Sequence, residues 1–129
     1  MTIGEVPMRI RNDKREDKYE NLKLHSRDTK NYYIKVRKNG VLQNITDWTL
    51  YFTVKENISD DDSEAVINKK VTSHSDPTNG ESLIELIASD TDLVGDYWYS
   101  LDYKDEEDNE GTLKWGKIQF EQSIRKLRD

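Results

Sequence analysis

Apolar and polar residues alternate with a period of two along most of the chain after residue 19. The clearest example is residues 48–55, where Trp48 and Leu50 begin a series of apolar even-numbered positions and every odd-numbered position carries Thr, Tyr or Lys. An alternation of this kind predicts a β-strand that places one face on a core and turns the other face to solvent.

The same period recurs in six other segments, and turn-forming residues separate them. Asn39-Gly40 and the run from Asp76 to Gly80 are the clearest turn signals, because Asn and Gly tolerate a positive φ and Pro fixes its own φ. We expect strands at residues 22–24, 32–36, 48–54, 65–71, 83–87, 97–103 and 113–120. Seven short strands of this kind predict an all-β fold, an Ig-like antiparallel β-sandwich.

The last predicted strand changes phase partway along. Leu113 and Trp115 are odd-numbered apolar residues, whereas Ile118 and Phe120 are even-numbered. A β-bulge at Gly116 would supply the extra residue that this change of phase requires.

The length of 129 residues suits one domain. We assign residues 18–129 to the sandwich domain and residues 1–17 to an N-terminal arm. Eight of the 17 arm residues are charged, their charges sum to zero, and no hydrophobic period holds. Such an arm is expected to be flexible or ordered by a partner, with a short extra strand as the alternative.

Charge is distributed unevenly along the chain. Its net value is −6, and residues 56–64 and 105–110 hold five acids each and no base. Without these ten acids the rest of the chain carries a net charge of +4, with no concentrated basic stripe. Nucleic acid is therefore not an expected partner. The chain lacks cysteine, which excludes disulfides, and no apolar run is long enough for membrane insertion.

Four segments carry a resemblance to phage tail proteins. They are Thr46–Lys55, the His74–Gly80 turn with its H-x-D-P-T-N-G pattern, residues 89–101, and residues 111–118. Together, over about residues 40–120, these segments resemble the phage tail Ig-like domain family, and within it the N-terminal domain of the baseplate upper protein.

The resemblance implies a non-enzymatic structural or assembly module of a phage tail or baseplate. It also implies that the partners are other tail or baseplate proteins and further copies of the chain in a homo-oligomer. The expected location is the virion, after synthesis in the host cytoplasm, and no cofactor is expected.

Candidate catalytic chemistry is sparse. The chain has two histidines, His25 and His74, and Ser75 and Asp76 follow His74 directly. Members of a catalytic triad converge from separate parts of a chain and hydrogen-bond in series, which three neighbouring turn residues cannot do. The acids cluster in loops that water reaches, whereas glycoside hydrolysis needs an opposed pair with one raised pKa. We therefore expect no enzyme.

The acidic loops supply the hard oxygen ligands that Ca²⁺ prefers. In the expected strand order residues 56–64 and 88–95 lie at the same end of the sandwich, and residues 105–110 lie at the other end beside the Asn39-Gly40 turn. The candidate calcium ligands are Asp60, Asp61, Asp62, Asp90 and Asp92. No EF-hand spacing occurs, and solvated charge is the simpler interpretation. We expect no metal site, with calcium as the alternative.

The outward face of the third, sixth and seventh predicted strands is the candidate partner surface. These strands share a sheet in Ig-like sandwiches, and their outward residues include Tyr51, Trp98 and Lys114. Tyr97 is expected to face inward, because its parity matches that of Tyr99. An exposed Trp–Tyr pair favours a protein contact. The alternatives are a pair that only stiffens the sheet, and a carbohydrate or cell-surface binding module, with or without calcium.

Overall fold

The computed structural model describes residues 8–11 and 18–123. The strands in these residues are β1 (Met8–Arg11), β2 (Leu22–His25), β3 (Lys30–Lys38), β4 (Val41–Leu42), β5 (Thr49–Lys55), β6 (Ile67–Val71), β7 (Glu81–Leu86), β8 (Gly95–Lys104) and β9 (Glu110–Glu121). The connections between these strands include two single-turn 3-10 helices within the described residues, Asp62–Glu64 and Pro77–Asn79. No helix within the described residues is long and apolar enough to cross a membrane.

The strands form two sheets that face each other as a sandwich. One sheet has five strands in the order β2-β9-β8-β5-β6. The other sheet is built on β3, which pairs with β1, β4 and β7. The prediction of an all-β sandwich is confirmed, and β5, β8 and β9, which correspond to the third, sixth and seventh predicted strands, share one sheet as expected.

The seven predicted strands correspond to β2, β3 and β5 to β9, and two further strands are present. The two-residue strand β4 completes a hairpin around Asn39 and Gly40, which both have a positive φ. The other, β1, lies inside the predicted arm and has the form of a short extra strand. The remaining arm residues, 1–7 and 12–17, lie outside the described part of the chain.

Five strand pairs are antiparallel, in line with the predicted antiparallel sandwich, while two pairs within the described residues are parallel. Met8 of β1 lies opposite Ile34 of β3, and Leu22 of β2 lies opposite Ile118 of β9. A strand has the same two-residue side-chain period whichever way its neighbour runs, so alternation alone cannot reveal direction. Both parallel strands are the edge strands of their sheets.

The inward positions of both sheets form one hydrophobic core. Leu50, Phe52 and Val54 of β5 are buried, while the odd-numbered residues between them are half-buried. The rings of Tyr32 and Tyr99 pack on Phe52 from the two sheets, with ring centres 6.0 and 5.9 Å away. The aromatic residues thus add bulk to a core that is otherwise built from Leu, Ile and Val side chains.

A β-bulge in β9 produces the expected change of phase, but not at Gly116. The register shifts between Leu101 and Asp102 of β8, and Leu113 is the extra residue of β9. The predicted position is wrong because the alternation puts Leu113 and Trp115 on one face, whereas Leu113 is buried and Trp115 is 38% exposed. Trp115 therefore belongs to the outer surface.

The two ends of the sandwich carry different loops. The end that we call the hairpin end carries residues 39–40, 43–48, 72–80 and 105–109, and the opposite end carries residues 26–29, 56–66 and 87–94. At the hairpin end, Trp48 stacks on Tyr103 with 4.6 Å between ring centres. At the opposite end, Lys55 lies across from Trp98, so the connection after β5 lies beside the start of β8. The predicted placement of the acidic loops is confirmed.

Candidate interaction site

The solvent-facing side of the five-stranded sheet carries an open groove of about 1000 Å³. We call it the outer groove. Strands β5, β6, β8 and β9 all contribute to it, and its lining includes Tyr51, Thr53, Asn68, Trp98, Asp102 and Trp115. Odd-numbered residues of β5 and even-numbered residues of β8 face it because side chains alternate along a strand. Two of the three predicted partner residues, Tyr51 and Trp98, therefore line one surface.

The floor of the outer groove has a preformed polar centre. The Ser100 hydroxyl donates to the Asp102 carboxylate at 2.9 Å, and the Thr112 hydroxyl donates to the same carboxylate at 2.8 Å. Ser100 and Asp102 lie on β8, and Thr112 lies directly opposite Asp102 on β9. Neighbouring strands thus hold the three side chains in place, and the charge of Asp102 is already partly satisfied.

One side of the outer groove is a row of three aromatic rings, which we call the aromatic ridge. Trp98 and Trp115 stack with 6.2 Å between ring centres and 22° between ring planes. Tyr19 meets Trp115 in a T-shaped contact at 4.7 Å. The Lys117 ammonium lies 5.4 Å from the centre of the Trp98 ring, within the range of a cation–π interaction. Three aromatic rings and one cation thus lie side by side on this face.

The predicted pairing of Trp98 with Tyr51 is wrong in detail. Tyr51 lies opposite Asp102 and Trp98 lies opposite Lys55, so two cross-strand positions separate the two rings. The partner of Trp98 is instead Trp115, which the bulge turns outward. The sequence could have indicated this partner. If the extra residue of the bulge is placed before Trp115 instead of after it, the two-residue alternation puts Trp115 on the outward face.

Tyr97 and Trp98 lie on opposite faces of β8, as predicted. Tyr97 packs edge-on against Phe120 of the core, with ring centres 5.5 Å apart, while Trp98 lines the outer groove. Both side chains are half-buried. Adjacent aromatic residues on this strand therefore serve the core and the surface separately.

Lys114, the third predicted partner residue, is not on the outward face. The bulge at Leu113 moves it to the core-facing side opposite Leu101, where it is 8% exposed. Its ammonium forms an ion pair with the Glu20 carboxylate, and the Tyr99 hydroxyl donates to the Glu20 carbonyl at 2.7 Å. Lys114 therefore holds the segment before β2 against β9.

The candidate calcium ligands do not converge on one point. Asp60 accepts the Asn57 N–H at 3.0 Å, and the Asp61 N–H is bonded to the Glu64 carboxylate at 3.2 Å. The other three are in separate ion pairs, Asp62 with Lys55 at 2.7 Å, Asp90 with Lys69 at 2.8 Å and Asp92 with Arg27 at 3.1 Å. Within the described residues no three acidic or histidine side chains are grouped so that they could hold a metal ion.

The environment of Asp90 shows how fully one of these carboxylates is engaged. Burial acts to raise its pKa, but the hydrogen bonds from the Lys69 ammonium and the Ile87 N–H outweigh burial. The pKa of Asp90 is therefore below its ordinary value. A cation at this position would have to replace Lys69.

His74 has a structural place in the hairpin end. Its Nε2 lies 2.8 Å from the Trp48 carbonyl, to which it donates, and its Nδ1 lies 2.8 Å from the Ser82 hydroxyl. In the neutral ring Nδ1 accepts the proton of Ser82. The side chain thus joins the segment before β5 to β7, which are parts of different sheets.

Comparisons with known proteins give a likeness of fold but none of sequence family. No family model matches the chain, and no curated protein matches it in sequence. Among solved structures, the N-terminal domain of phage TP901-1 ORF48 is similar, with a TM-score of 0.56 and 16% sequence identity. The alignment covers 88% of this chain and 96% of that domain. Since identity is low, the likeness shows a shared fold.

Proposed function

We propose that the chain is a non-enzymatic structural module of a phage tail or baseplate, and that it docks other tail proteins through the outer groove. The observation that carries this proposal is the aromatic ridge, in which Trp98, Trp115 and Tyr19 lie in contact with one another beside the polar centre of the groove. Clusters of Trp and Tyr at the centre of a surface are typical of protein-binding hot spots.

The fold supports placing the module in a phage particle. A domain of a phage protein has the same architecture over nearly its full length, and the four sequence segments described above resemble phage tail Ig-like domains. A rigid sandwich suits such a role, since it fixes the groove and the loops at both ends in one geometry. The proposed location is therefore the virion.

The geometry of the aromatic ridge favours a protein over a carbohydrate as the ligand. A sugar ring that stacks on Trp98 needs an open indole face, and the Lys117 ammonium already lies over that ring. A protein partner that covers Lys117 and Trp98 together would instead strengthen their cation–π interaction by removing water. We therefore place the carbohydrate alternative second.

Incorporation into particles tests the proposal. Tail particles are purified from a phage whose genome encodes the chain. Mass spectrometry then measures the copy number of the chain relative to the other tail proteins. The variant Trp98→Ala with Trp115→Ala should lower that number by about tenfold or more, as expected for two hot-spot residues. Tyr33→Ala is the matched control, because Tyr33 is an exposed aromatic on the other sheet.

Two results would contradict the proposal. One is absence of the wild-type chain from purified particles. The other is normal incorporation of the double Trp variant with thermal unfolding like that of the wild type. A glycan array with the wild-type domain tests the carbohydrate alternative directly, since binding lost in the same double variant would support that alternative instead.

A further inference from the structure

The turn between β8 and β9 has an ordered backbone and carries two exposed glutamates. Residues 105–110, which we call the acidic turn, are ordered by Asp105, whose carboxylate accepts the N–H groups of Glu107 and Asn109 at 2.9 Å each. Glu106 and Glu107 project from the turn as exposed residues. Asp108 of the same turn pairs with Lys104 at 3.7 Å, but neither glutamate carboxylate has a basic partner within the described residues, so the turn displays two negative charges to solvent.

The hairpin of β3 and β4 carries the opposite charge. Residues 35–41, which we call the basic hairpin, include Lys35, Arg37 and Lys38 and no acid. Lys35 pairs loosely with Glu81 at 3.5 Å, and Arg37 donates to the Gly40 carbonyl. Lys38 is exposed, with no acidic partner among the described residues.

The acidic turn and the basic hairpin lie at the same end of the sandwich but belong to different sheets. The ring stack of Trp48 on Tyr103 connects them, because Trp48 follows the basic hairpin and Tyr103 precedes the acidic turn. Two patches of opposite charge at one end of a molecule are self-complementary under a two-fold axis. Each turn then meets the hairpin of the other copy.

We propose that the hairpin end binds a second copy of this chain, as a two-fold dimer in which each acidic turn docks on the partner's basic hairpin. The two copies make the same contact twice, which closes the assembly. A nucleic acid is disfavoured as the partner of the basic hairpin, because the acidic turn at the same end would repel its phosphates. This dimer does not depend on the outer groove, so it is separate from the docking function proposed above.

Sedimentation velocity at several salt concentrations tests the dimer. The wild-type chain should dimerise at concentrations of up to about 300 μM in about 20 mM salt, and salt of about 500 mM should weaken the dimer by about tenfold or more, because exposed charges are screened. The variants Arg37→Glu with Lys38→Glu, and Glu106→Lys with Glu107→Lys, should each be monomeric, since both of their self-contacts repel.

Mixing the two charge-reversed variants gives the decisive result. In the mixture each reversed patch meets an oppositely charged patch on the other variant, so a one-to-one heterodimer should form. The control Glu56→Lys with Glu85→Lys changes the net charge as much as the reversed turn does, but outside the hairpin end, and should dimerise like the wild type. A monomeric wild type at low salt, a mixture that fails to associate, or a dimer that the reversals leave unchanged would overturn the proposal.

Discussion

At the scale of single residues, the packing of the segment before β2 depends on Gly116. A Cβ atom at this position would collide with the backbone carbonyl of Glu20, which is fixed because the Glu20 N–H donates to Trp115 at 3.0 Å. The sequence pattern marked Gly116 as special, but for the wrong reason. Close approach of another backbone, rather than a bulge, is what requires glycine there.

Gly116→Ala is therefore expected to lower the free energy of unfolding by about 1–3 kcal/mol, the range for overpacking. Urea denaturation should show a lower midpoint with an unchanged slope. Gly40→Ala is the control, because its Cβ would meet nothing and the cost of about 1 kcal/mol comes only from its positive φ. If Gly40→Ala is the more damaging change, the close approach at Gly116 is not limiting.

The two core tyrosines differ in what their hydroxyls do. Tyr32 is 3% exposed and its hydroxyl has no hydrogen-bond partner among the described residues, whereas the Tyr99 hydroxyl is bonded to Glu20. Tyr32→Phe should therefore be neutral or stabilising by up to about 1 kcal/mol at pH 7, and Tyr99→Phe should cost about 1 kcal/mol. Urea denaturation of both variants checks the difference. Equal losses would mean that Tyr32 has a partner such as a buried water.

These tyrosines also predict the response to alkaline pH. Burial, and secondarily the nearby Glu20 carboxylate, raises the pKa of both Tyr32 and Tyr99 far above the ordinary value. Below pH ~10 the folded and unfolded chains both keep the hydroxyl protons, so the free energy of unfolding does not depend on these groups. Above that pH only the unfolded chain loses the protons, and the free energy of unfolding falls by up to about 1.4 kcal/mol per pH unit for each tyrosine. Urea midpoints between pH 9 and 12 should fall less steeply in Tyr32→Phe with Tyr99→Phe. An unchanged slope would show that neither group is responsible.

At the scale of elements, β8 separates stability from binding on adjacent residues. Tyr97→Ala removes the contact with Phe120 and should cost about 2–4 kcal/mol, somewhat less than for a fully buried ring because Tyr97 is half-buried. Trp98→Ala should cost less than half as much in stability while impairing particle incorporation. Thermal melting of the two variants measures the first effect. The assignment of faces would be reversed if Trp98→Ala were the more destabilising.

The strands were predictable from the sequence, but the way in which they pair within the sheets was less predictable. The alternation along residues 49–54 follows directly from one core face and one outer face, and the structure reproduces it as buried even-numbered and half-buried odd-numbered residues. By contrast, Lys114 and Trp115 exchange faces because the extra residue is Leu113, and a change of phase locates a bulge only to within a few positions. The parallel partners of β1 and β2 are set by long-range packing, which alternation does not encode.

At the scale of the whole molecule, both ends of the sandwich carry acidic side chains, but these are engaged differently. Asp62, Asp90 and Asp92 at the end opposite the hairpin end are each paired with a base, whereas Glu106 and Glu107 of the acidic turn have no basic partner among the described residues. The sequence located both acidic loops correctly, but their different roles depend on which lysines and arginines the fold brings beside them.

Calcium should therefore not be a structural ligand. Thermal midpoints in chelator and in about 1 mM Ca²⁺ should agree within about 2 °C, because a ligand that does not bind the native state cannot stabilise it. A potassium salt at the same ionic strength is the control for screening. If Ca²⁺ raised the thermal midpoint by many degrees and Asp62→Asn abolished that rise, the cation would have replaced Lys55 beside Asp62.

The parallel pairing of β2 with β9 also orders events during synthesis of the chain. Leu22 rests against Ile118 in the finished sheet, so an early segment leaves the ribosome long before its partner exists. Until residues 110–121 emerge, β2 and β8 each lack a neighbour, and loop closure over such a span is slow. Folding is therefore expected to complete only after translation of β9. A chain cut short before that strand would expose two unpaired edges and would be open to proteolysis and aggregation rather than assembly.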